Sequence, residues 1–443
     1  MNIDQHRASS EPKVLIFSQT FNSISGGGIT LSNLFSGYPK ENLAVLSYPF
    51  MLFNVSFDIC DTYYQIGRDE YVWRYPFSLF KKTYDSGVIV RKDSGKTDTV
   101  PKLSLRNRLS SNILTPFVRW LGLSHCISEI TISEQLKRWL DNYLPEVLYL
   151  QISNRESILF SLKLQDYLKI PIVIHMMDDW PSTISSLGPM NKLWKNRIDR
   201  EFRILLGRAA LCLSISDAMA EEYLSRYGRK FIPFHNPIDV NRFEDIKPFY
   251  TSFQNIKILY LGRIGTANHN SILKFAYFVS SFCFEDHKLE LHIYTKDNEH
   301  PYVHRLKKLQ NVFVRPPVHY GEVPDLMTKY DLLLLPLDFS ASGQRFSRLS
   351  MPTKASEYMM SGIPMLVFAP ANTAISKFCM KYQCGHCITD PDIGKLRGEI
   401  IRIVSDLDYR RDLGRRARTL AQQLFNSDSV SKDFQKLLIG LHS

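Results

Sequence analysis

At 443 residues the chain exceeds what one hydrophobic core usually supports, so two or three α/β domains are expected. Hydrophobic residues make up 44% and charged residues 22%, ordinary globular usage that excludes a disordered, collagenous or disulfide-scaffold protein. A net charge of +11 with a pI near 9.1 points to an anionic partner, whether nucleic acid, acidic lipid headgroups or phosphorylated small molecules.

Residues 1–7 are polar and lack the basic-then-apolar layout of a secretory signal. No apolar run approaches the ~18 residues that a spanning helix needs, so a cytoplasmic location is expected. A β-like run at 13–18 is followed by a Ser- and Gly-rich loop through Gly26, Gly27 and Gly28 and a helix-like stretch at 29–35. Strand, glycine loop and helix in that order form the opening unit of a nucleotide-type α/β fold. Parallel-strand candidates follow at 43–47, 147–151, 172–175 and 210–214, with helical patterns at 133–143, 158–168 and 218–227. Such alternation predicts a doubly wound parallel sheet.

Between these elements the stretch 60–130 has the weakest periodicity and reads as an elaboration of the N-terminal domain. It concentrates Arg74, Lys81, Lys82, Arg91, Lys92, Lys96, Lys102, Arg106, Arg108 and Arg119 among Trp73, Tyr75, Phe77, Phe80, Phe117 and Trp120. Basic residues interleaved with aromatic ones suit an anionic membrane interface; the plainer alternative is a solvated, loop-rich insertion.

After a Pro-containing connector at 235–240 the pattern restarts with a strand at 257–262, followed by strands at 289–294, 312–314, 331–336 and 364–368. Two Rossmann-like halves in tandem are therefore expected, facing each other across a cleft that would hold the ligand. The boundaries read as an N-terminal domain at 1–237, a C-terminal domain at 238–425 and a terminal helix at 426–443 packing back on the first domain. That helix is expected over 429–441, with Ser427 or Asp428 as its cap.

Seven cysteines, an odd number, read as reduced thiols. Cys384 and Cys387 have redox spacing and, with Cys379 and His386, zinc-like composition. A strand end and turn come after them rather than a helix, so ordinary buried cysteines are expected and no metal is assigned.

The segment 352–367 carries the chemistry most directly. Pro352 reads as a first helical residue and Gly362 as the helix stop, so the free amides at 351–354 would attract phosphate. Lys354 adds positive charge at that end, and Glu357, one turn later, offers an acceptor for ribose hydroxyls. The plainer alternative is a surface Lys354–Glu357 pair on an amphipathic helix. Gly262 and Gly265 let backbone approach a ligand after the strand at 257–262, and Arg263 there can clamp a diphosphate. In the first half, His175, Asp178 and Asp179 stand at a strand end, where they can orient an acceptor; a capping Asp beside a packed His and Trp180 is the alternative. Gln151 and Asn154 are weaker candidates of the same kind.

Taken in order, Gly26-Gly27-Gly28-x-Thr30, Leu261-Gly262-Arg263, the run at 320–326 and Pro352-x-Lys354-x-x-Glu357-Tyr358-x-x-x-Gly362-x-Pro364 resemble the GT-B-fold retaining glycosyltransferases of family 4. The runs at 214–219 and 234–239 resemble that family's strand-helix and linker. The resemblance implies sugar transfer from a nucleotide diphosphate donor, as co-substrate, to an acceptor hydroxyl with retention, with no metal or resident cofactor. It places the donor on the C-terminal domain, at Gly262, Arg263, Thr353, Lys354 and Glu357, and the acceptor or diphosphate loop at Gly26, Gly27 and Gly28. Arg263 and Lys354 then serve departure of the diphosphate, while His175 and Asp178 serve the acceptor. Two departures stand out. Leu349 occupies the place of a family glutamate, and the lysine expected shortly after Gly262-Arg263 is absent, leaving Lys354 or Arg348 to supply its charge.

The implied partners are a nucleotide sugar and a saccharide or lipid-linked acceptor, met by a peripheral protein at the inner face of the plasma membrane in polysaccharide or glycolipid synthesis. Competing readings are a sugar-nucleotide epimerase of the same fold and a basic nucleic-acid-binding protein. The latter lacks zinc-finger, RNA-binding or helix-turn-helix patterns, and no nucleic acid is expected as partner. A dinucleotide oxidoreductase lacks the G-x-G-x-x-G spacing.

Overall fold

Runs of fully buried apolar residues, too short to be helices and continuous rather than alternating, form the centre of each half of the chain. A computed structural model describes residues 11–52, 54–75, 84–89, 118, 120–184, 188–248, 255–285, 288–297 and 299–441. Unit 1 comprises Met1–Ser214, Tyr223–Ile232 and Ser431–Ser443; unit 2 comprises Ile215–Glu222 and Pro233–Val430.

In unit 1 the strands are β1 (Val14–Phe17), β2 (Leu43–Ser47), β3 (Thr62–Gln65), β4 (Tyr71–Trp73), β5 (Gly87–Ile89), β6 (Ser128–Ile130), β7 (Val147–Leu150), β8 (Ile172–Met176), β9 (Ala209–Ser214) and β10 (Ile232–Pro233). Eight of them form one sheet in the order β10-β9-β8-β7-β1-β2-β3-β5. Val14 of β1 faces Leu43 on one side and Val147 on the other, both in parallel register. Every residue of β1, β2, β7 and β8 is buried, as expected of parallel strands covered on both faces.

The helices of this half are α1 (Gly26–Leu34), α2 (Glu134–Tyr143), α3 (Arg155–Leu168), α4 (Trp180–Thr183), α5 (Asn191–Arg208) and α6 (Asp217–Tyr227), the last divided between the units. Ser133 caps α2 by accepting the Leu136 N–H. Asn154 forms a capping box with Ser157 at α3, so this residue, a candidate for sugar contacts on sequence, is a structural cap.

Within the stretch 60–130, β3 and β5 belong to the main sheet, β5 running antiparallel to β3. Glu70, fully buried, ties this region down by accepting hydrogen bonds from Tyr64, the Gly67 N–H, Ser86 and Ser133. Of the basic and aromatic stretch, Lys81, Lys82, Arg91, Lys92, Lys96, Lys102, Arg106, Arg108, Arg119, Phe77, Phe80 and Phe117 lie outside the described residues.

Unit 2 repeats the plan with β11 (Asn255–Leu261), α7 (His269–Ser281), β12 (Lys288–Tyr294), β13 (Val312–Arg315), β14 (Leu332–Pro336), α8 (Thr353–Ser361), β15 (Met365–Phe368), α9 (Ala374–Tyr382), β16 (His386–Ile388), α10 (Ile393–Ser405), α11 (Leu407–Leu424) and α12 (Ser427–Ile439). Its six strands are all parallel, in the order β13-β12-β11-β14-β15-β16. That is the Rossmann order, in which the first strand of the unit is central and the chain reverses direction between β11 and β14. The expected pair of Rossmann-like units is what the chain forms. Among the described residues no helix is long and apolar enough to cross a membrane.

The final helix starts earlier than its sequence suggests. Asn426 accepts the Asp428 N–H and releases the chain into α12 at Ser427, two residues before the expected start. Past Val430 the helix is part of unit 1, where Phe434 packs edge-on against Phe35 and Tyr149 with ring centroids 5.0 and 5.9 Å away. Phe434→Ala removes a fully buried ring from this aromatic cluster. It is expected to destabilise unit 1 by about 3–5 kcal/mol, read as an earlier urea transition in near-ultraviolet circular dichroism.

Candidate functional site

The C-terminal end of β11 is where unit 2 collects charge. After Leu261 the chain turns at Gly262, whose φ of 133° lies in the region that favours glycine. A Cβ at Gly262 would lie 2.2 Å from Lys354 Nζ, so the lysine packs directly against the glycine backbone. The ammonium sits 4.5 Å from the Tyr260 ring centroid and donates to the Tyr260 hydroxyl at 3.4 Å. Burial pulls the Lys354 pKa down to about 8, with Glu357 pulling the other way. Tyr260 in turn donates to the Arg263 carbonyl at 2.6 Å, and Tyr358 accepts the Leu261 N–H at 3.0 Å. Strand end and helix are thereby fastened together through two tyrosine hydroxyls.

The helix α8 begins at Thr353, with Pro352 as its cap rather than its first residue and no side-chain cap bond. The Ala355 N–H reaches the Pro352 carbonyl, and among the described residues no backbone partner is shown for the first-turn amides of Thr353 and Lys354. Gly362, at φ 73°, ends the helix. Arg263 is 74% exposed in its side chain and lies 3.2 Å from Asp297. Burial works against the charge of Asp297, but the Ile264 N–H and Arg263 outweigh it and hold the carboxyl below its usual range.

Glu357 does not form a surface pair with Lys354. Its carboxylate lies 3.6 Å from Arg242, whose guanidinium stacks 3.8 Å from the Tyr320 ring centroid and donates to the Tyr320 carbonyl. Burial raises the Glu357 pKa, while hydrogen bonding from Tyr320 and the charge of Arg242 oppose the rise. Arg348 is held by Glu222 at 3.2 Å and is not the cation beside Gly262. Leu349 is 2% exposed and its carbonyl accepts from Ser216, so the position where a family glutamate would stand is packed and apolar.

In unit 1 the three glycines open α1 and are not a loop. Ser25 caps the helix at the Gly28 N–H, and Asn22 accepts the N–H groups of Ile24 and Ser25. A Cβ on Gly27 would lie 2.1 Å from Gln19 Nε2, and one on Gly28 would lie 2.2 Å from Asn22 Nδ2. These glycines make room for buried amide side chains; turn geometry is not their reason. Gln151 stands next to Gly27 and donates to the Tyr149 hydroxyl, which is 2.6 Å from His175 Nδ1. His175 is fully buried, and burial lowers its pKa to about 3, so it is neutral and is not an exposed general base.

Asp178 is exposed at the end of β8. Asp179 is taken up by Arg226, Tyr223 and Ser182, a structural cluster rather than a sugar contact. The structure thus gathers Gly262, Arg263, Lys354 and Thr353 at one end of α8 with Glu357 a turn further on. It links Gly27, Gln151 and His175 in unit 1 through Tyr149, and Asp178 is exposed past the end of β8. Arg242, Tyr320 and Asp297 were missed as site residues, Arg242 and Asp297 because they lie outside the motifs in sequence. Only Tyr320 fell within a motif, and nothing there signalled its stacking.

The thiol cluster contains no histidine. All seven cysteines are free; Cys379 lies beside Cys384 and Cys387, whereas His386 turns to Tyr409 and Glu399. Among the described residues no three His, Cys, Asp or Glu side chains gather as a metal-binding set.

No protein-family model matches the chain. No curated protein matches it in sequence. Solved structures do share its fold. Sucrose-phosphate synthase from Thermosynechococcus elongatus superimposes with a TM-score of 0.62 at 13% identity, over 97% of this chain and 98% of that one. HepE of Anabaena in complex with UDP and glucose gives 0.59 at 12% identity, over 96% and 99%. A glycosyltransferase from Rickettsia africae gives 0.60 at 10% identity, over 97% and 98%. The chain therefore has the GT-B fold.

Carbon NMR of the reductively methylated lysines is expected to show one lysine titrating near 8, absent from Lys354→Arg. In Gly262→Ala the added methyl group displaces the ammonium from Tyr260, and that midpoint should move back toward an ordinary lysine value.

Proposed function

We propose that the chain transfers a glycosyl group from a nucleoside diphosphate sugar to an acceptor hydroxyl, with retention of anomeric configuration. The observation that carries this reading is Lys354, at the start of α8, packed against the glycine turn after β11, with Arg263 the next residue of that turn. A diphosphate placed there meets two cations and the positive end of a helix, while Gly262 lets it approach the backbone. HepE, similar in fold, binds UDP and glucose, which supports the same class of ligand here. Sucrose-phosphate synthase supports the same class of reaction.

In this mechanism the bond between the anomeric carbon and the diphosphate oxygen breaks, and Arg263 and Lys354 stabilise the charge that develops on the leaving group. The acceptor oxygen bonds to the anomeric carbon from the same face, and its proton passes to an oxygen of the departing diphosphate. Two protein cations take the part that a divalent ion plays in other transferases, so the reaction is metal-independent. Glu357, oriented by Arg242 and Tyr320, accepts the ribose hydroxyls. In unit 1 the start of α1 at Gly26–Gly28 and the exposed Asp178 face the acceptor, with His175 behind them. The acceptor is a saccharide or lipid-linked saccharide, the setting polysaccharide or glycolipid synthesis, and the protein a peripheral one at the cytoplasmic membrane face.

A thermal-shift screen of nucleoside diphosphates and nucleotide sugars should raise the melting temperature for the cognate donor. Affinity for that diphosphate is expected to fall as pH rises through about 8, because the free protein loses the Lys354 cation there. Lys354→Met should remove that dependence. Glu357→Ala should lower kcat/KM by about 10- to 100-fold, as loss of hydrogen bonds to a charged group implies. Unchanged turnover would remove the ribose assignment, an inverted product anomer by proton NMR would remove retention, and epimerised donor without acceptor would replace transfer altogether.

A further inference from the structure

We propose that the exposed ring of Phe50 is the platform on which unit 1 stacks a pyranose ring of the acceptor, an inference that rests on the reading of the chain as a transferase acting on a saccharide. Phe50 lies in one turn of 3-10 helix, Pro49–Met51, that follows β2. Parallel sheets receive their ligands beyond the carboxyl ends of their strands, and this turn stands at that edge. It is also tied to the segment that leads into α1. The Thr20 hydroxyl donates to the Met51 carbonyl at 2.9 Å, and the Ser56 N–H reaches the Phe21 carbonyl at 2.8 Å. The neighbouring Gln19 is the side chain that packs against Gly27.

A single apolar side chain in water is common and needs no ligand to explain it. Phe50 differs in how it is held. It is 69% exposed, yet its ring lies on that of Tyr48 with the planes 18° apart and the centroids 5.4 Å apart. Tyr48 is itself buried, with Phe17 at 5.9 Å and Tyr71 at 6.5 Å between centroids. Tyr71 is followed by Trp73 at 6.5 Å, so half-buried rings continue the strip into β4. One face of Phe50 is supported by a fixed ring while the rest of it meets solvent. A ring already held in place gives up little freedom when a ligand stacks on it.

The chemistry of the surface selects the ligand. An aromatic face carries partial negative charge, and the axial C–H bonds on one face of a pyranose present weakly positive hydrogens to it. The sugar hydroxyls, at the rim of the ring, stay free for polar groups. From Leu43 to Phe57 the sequence has no charged residue, which suits a neutral ring and not a phosphate. A nucleobase would stack on the same ring, but the cations that would take its diphosphate, Arg263 and Lys354, belong to unit 2.

The test is saturation-transfer difference NMR of the full chain with methyl β-glucoside, methyl β-galactoside and methyl α-mannoside, and separately with uridine and adenosine. At least one glycoside should receive saturation, strongest at the axial protons of one ring face. In titrations Phe50→Ala should bind that glycoside about tenfold more weakly, the upper end of what one aromatic pair contributes, and Phe50→Tyr should keep wild-type affinity. The ring is exposed, and an unchanged melting temperature confirms that each variant is folded. Absence of glycoside binding, wild-type binding by Phe50→Ala, weakened binding by Phe50→Tyr, or loss of nucleoside in place of glycoside binding in Phe50→Ala overturns the proposal. Donor recognition is read apart from this, as the thermal shift that nucleoside diphosphates give the wild-type chain. A shift without glycoside binding removes the Phe50 platform alone, whereas no shift removes the transfer reading itself.

Discussion

A lysine ammonium pressed between a tyrosine ring and a glycine backbone sets the geometry at the end of the second unit's sheet. A half-buried cation has lost much of its water; the charge of Glu357 opposes that loss, and Tyr260 offers the ammonium both its π face and its hydroxyl. That contact requires glycine at 262 and a tyrosine at the penultimate residue of β11, with the start of α8 brought against the end of that strand. The Tyr260 hydroxyl also holds the Arg263 carbonyl, so the second cation of the site leaves the sheet from a fixed point. Removing the ring would loosen both charges at once.

The two units solve the problem of buried polarity differently. Unit 1 places single carboxylates inside and surrounds them with hydroxyl donors. Glu70 takes four hydrogen bonds, and Glu156 takes Tyr71 and Ser128, with burial raising its pKa. These bonds fasten the connecting segments to the sheet without relying on ion pairs. Unit 2 buries an ion pair, Arg410 with Asp331, and gathers further charge at the sheet end, where Lys354, Glu357 and Asp297 each answer to a partner from another element. The first arrangement builds a scaffold; the second leaves charge where a ligand can meet it.

The same physics explains which features were legible in the sequence. Parallel strands such as Val14–Phe17 and Leu332–Pro336 are buried on both faces, so they read as unbroken apolar runs and were located within a residue or two. The stop at Gly362 was equally plain, because a left-handed residue after a helix has few alternatives to glycine. By contrast, β3 and β5 are three or four residues long and include Thr62, Gln65 and Gly87, so their sheet membership comes from pairing and not from pattern. The Gly26–Gly28 run was read as a loop because glycine disfavours helices. The amide side chains of Gln19 and Asn22, which leave no space for a Cβ, override that preference. Arg242 and Asp297 reach their partners from more than 30 residues away, a distance that local spacing does not encode.

The chain of contacts behind Gly27 has a polarity of its own. The Gln151 amide nitrogen can only donate, so the Tyr149 oxygen receives its hydrogen and must send its own to His175 Nδ1. That fixes the tautomer: the imidazole carries its single proton on Nε2, which has no partner among the described residues. With protonation of the ring suppressed far below neutrality, His175 offers one N–H and no charge at any physiological pH. A fully buried N–H of this kind leaves a donor that only a lone-pair acceptor could satisfy.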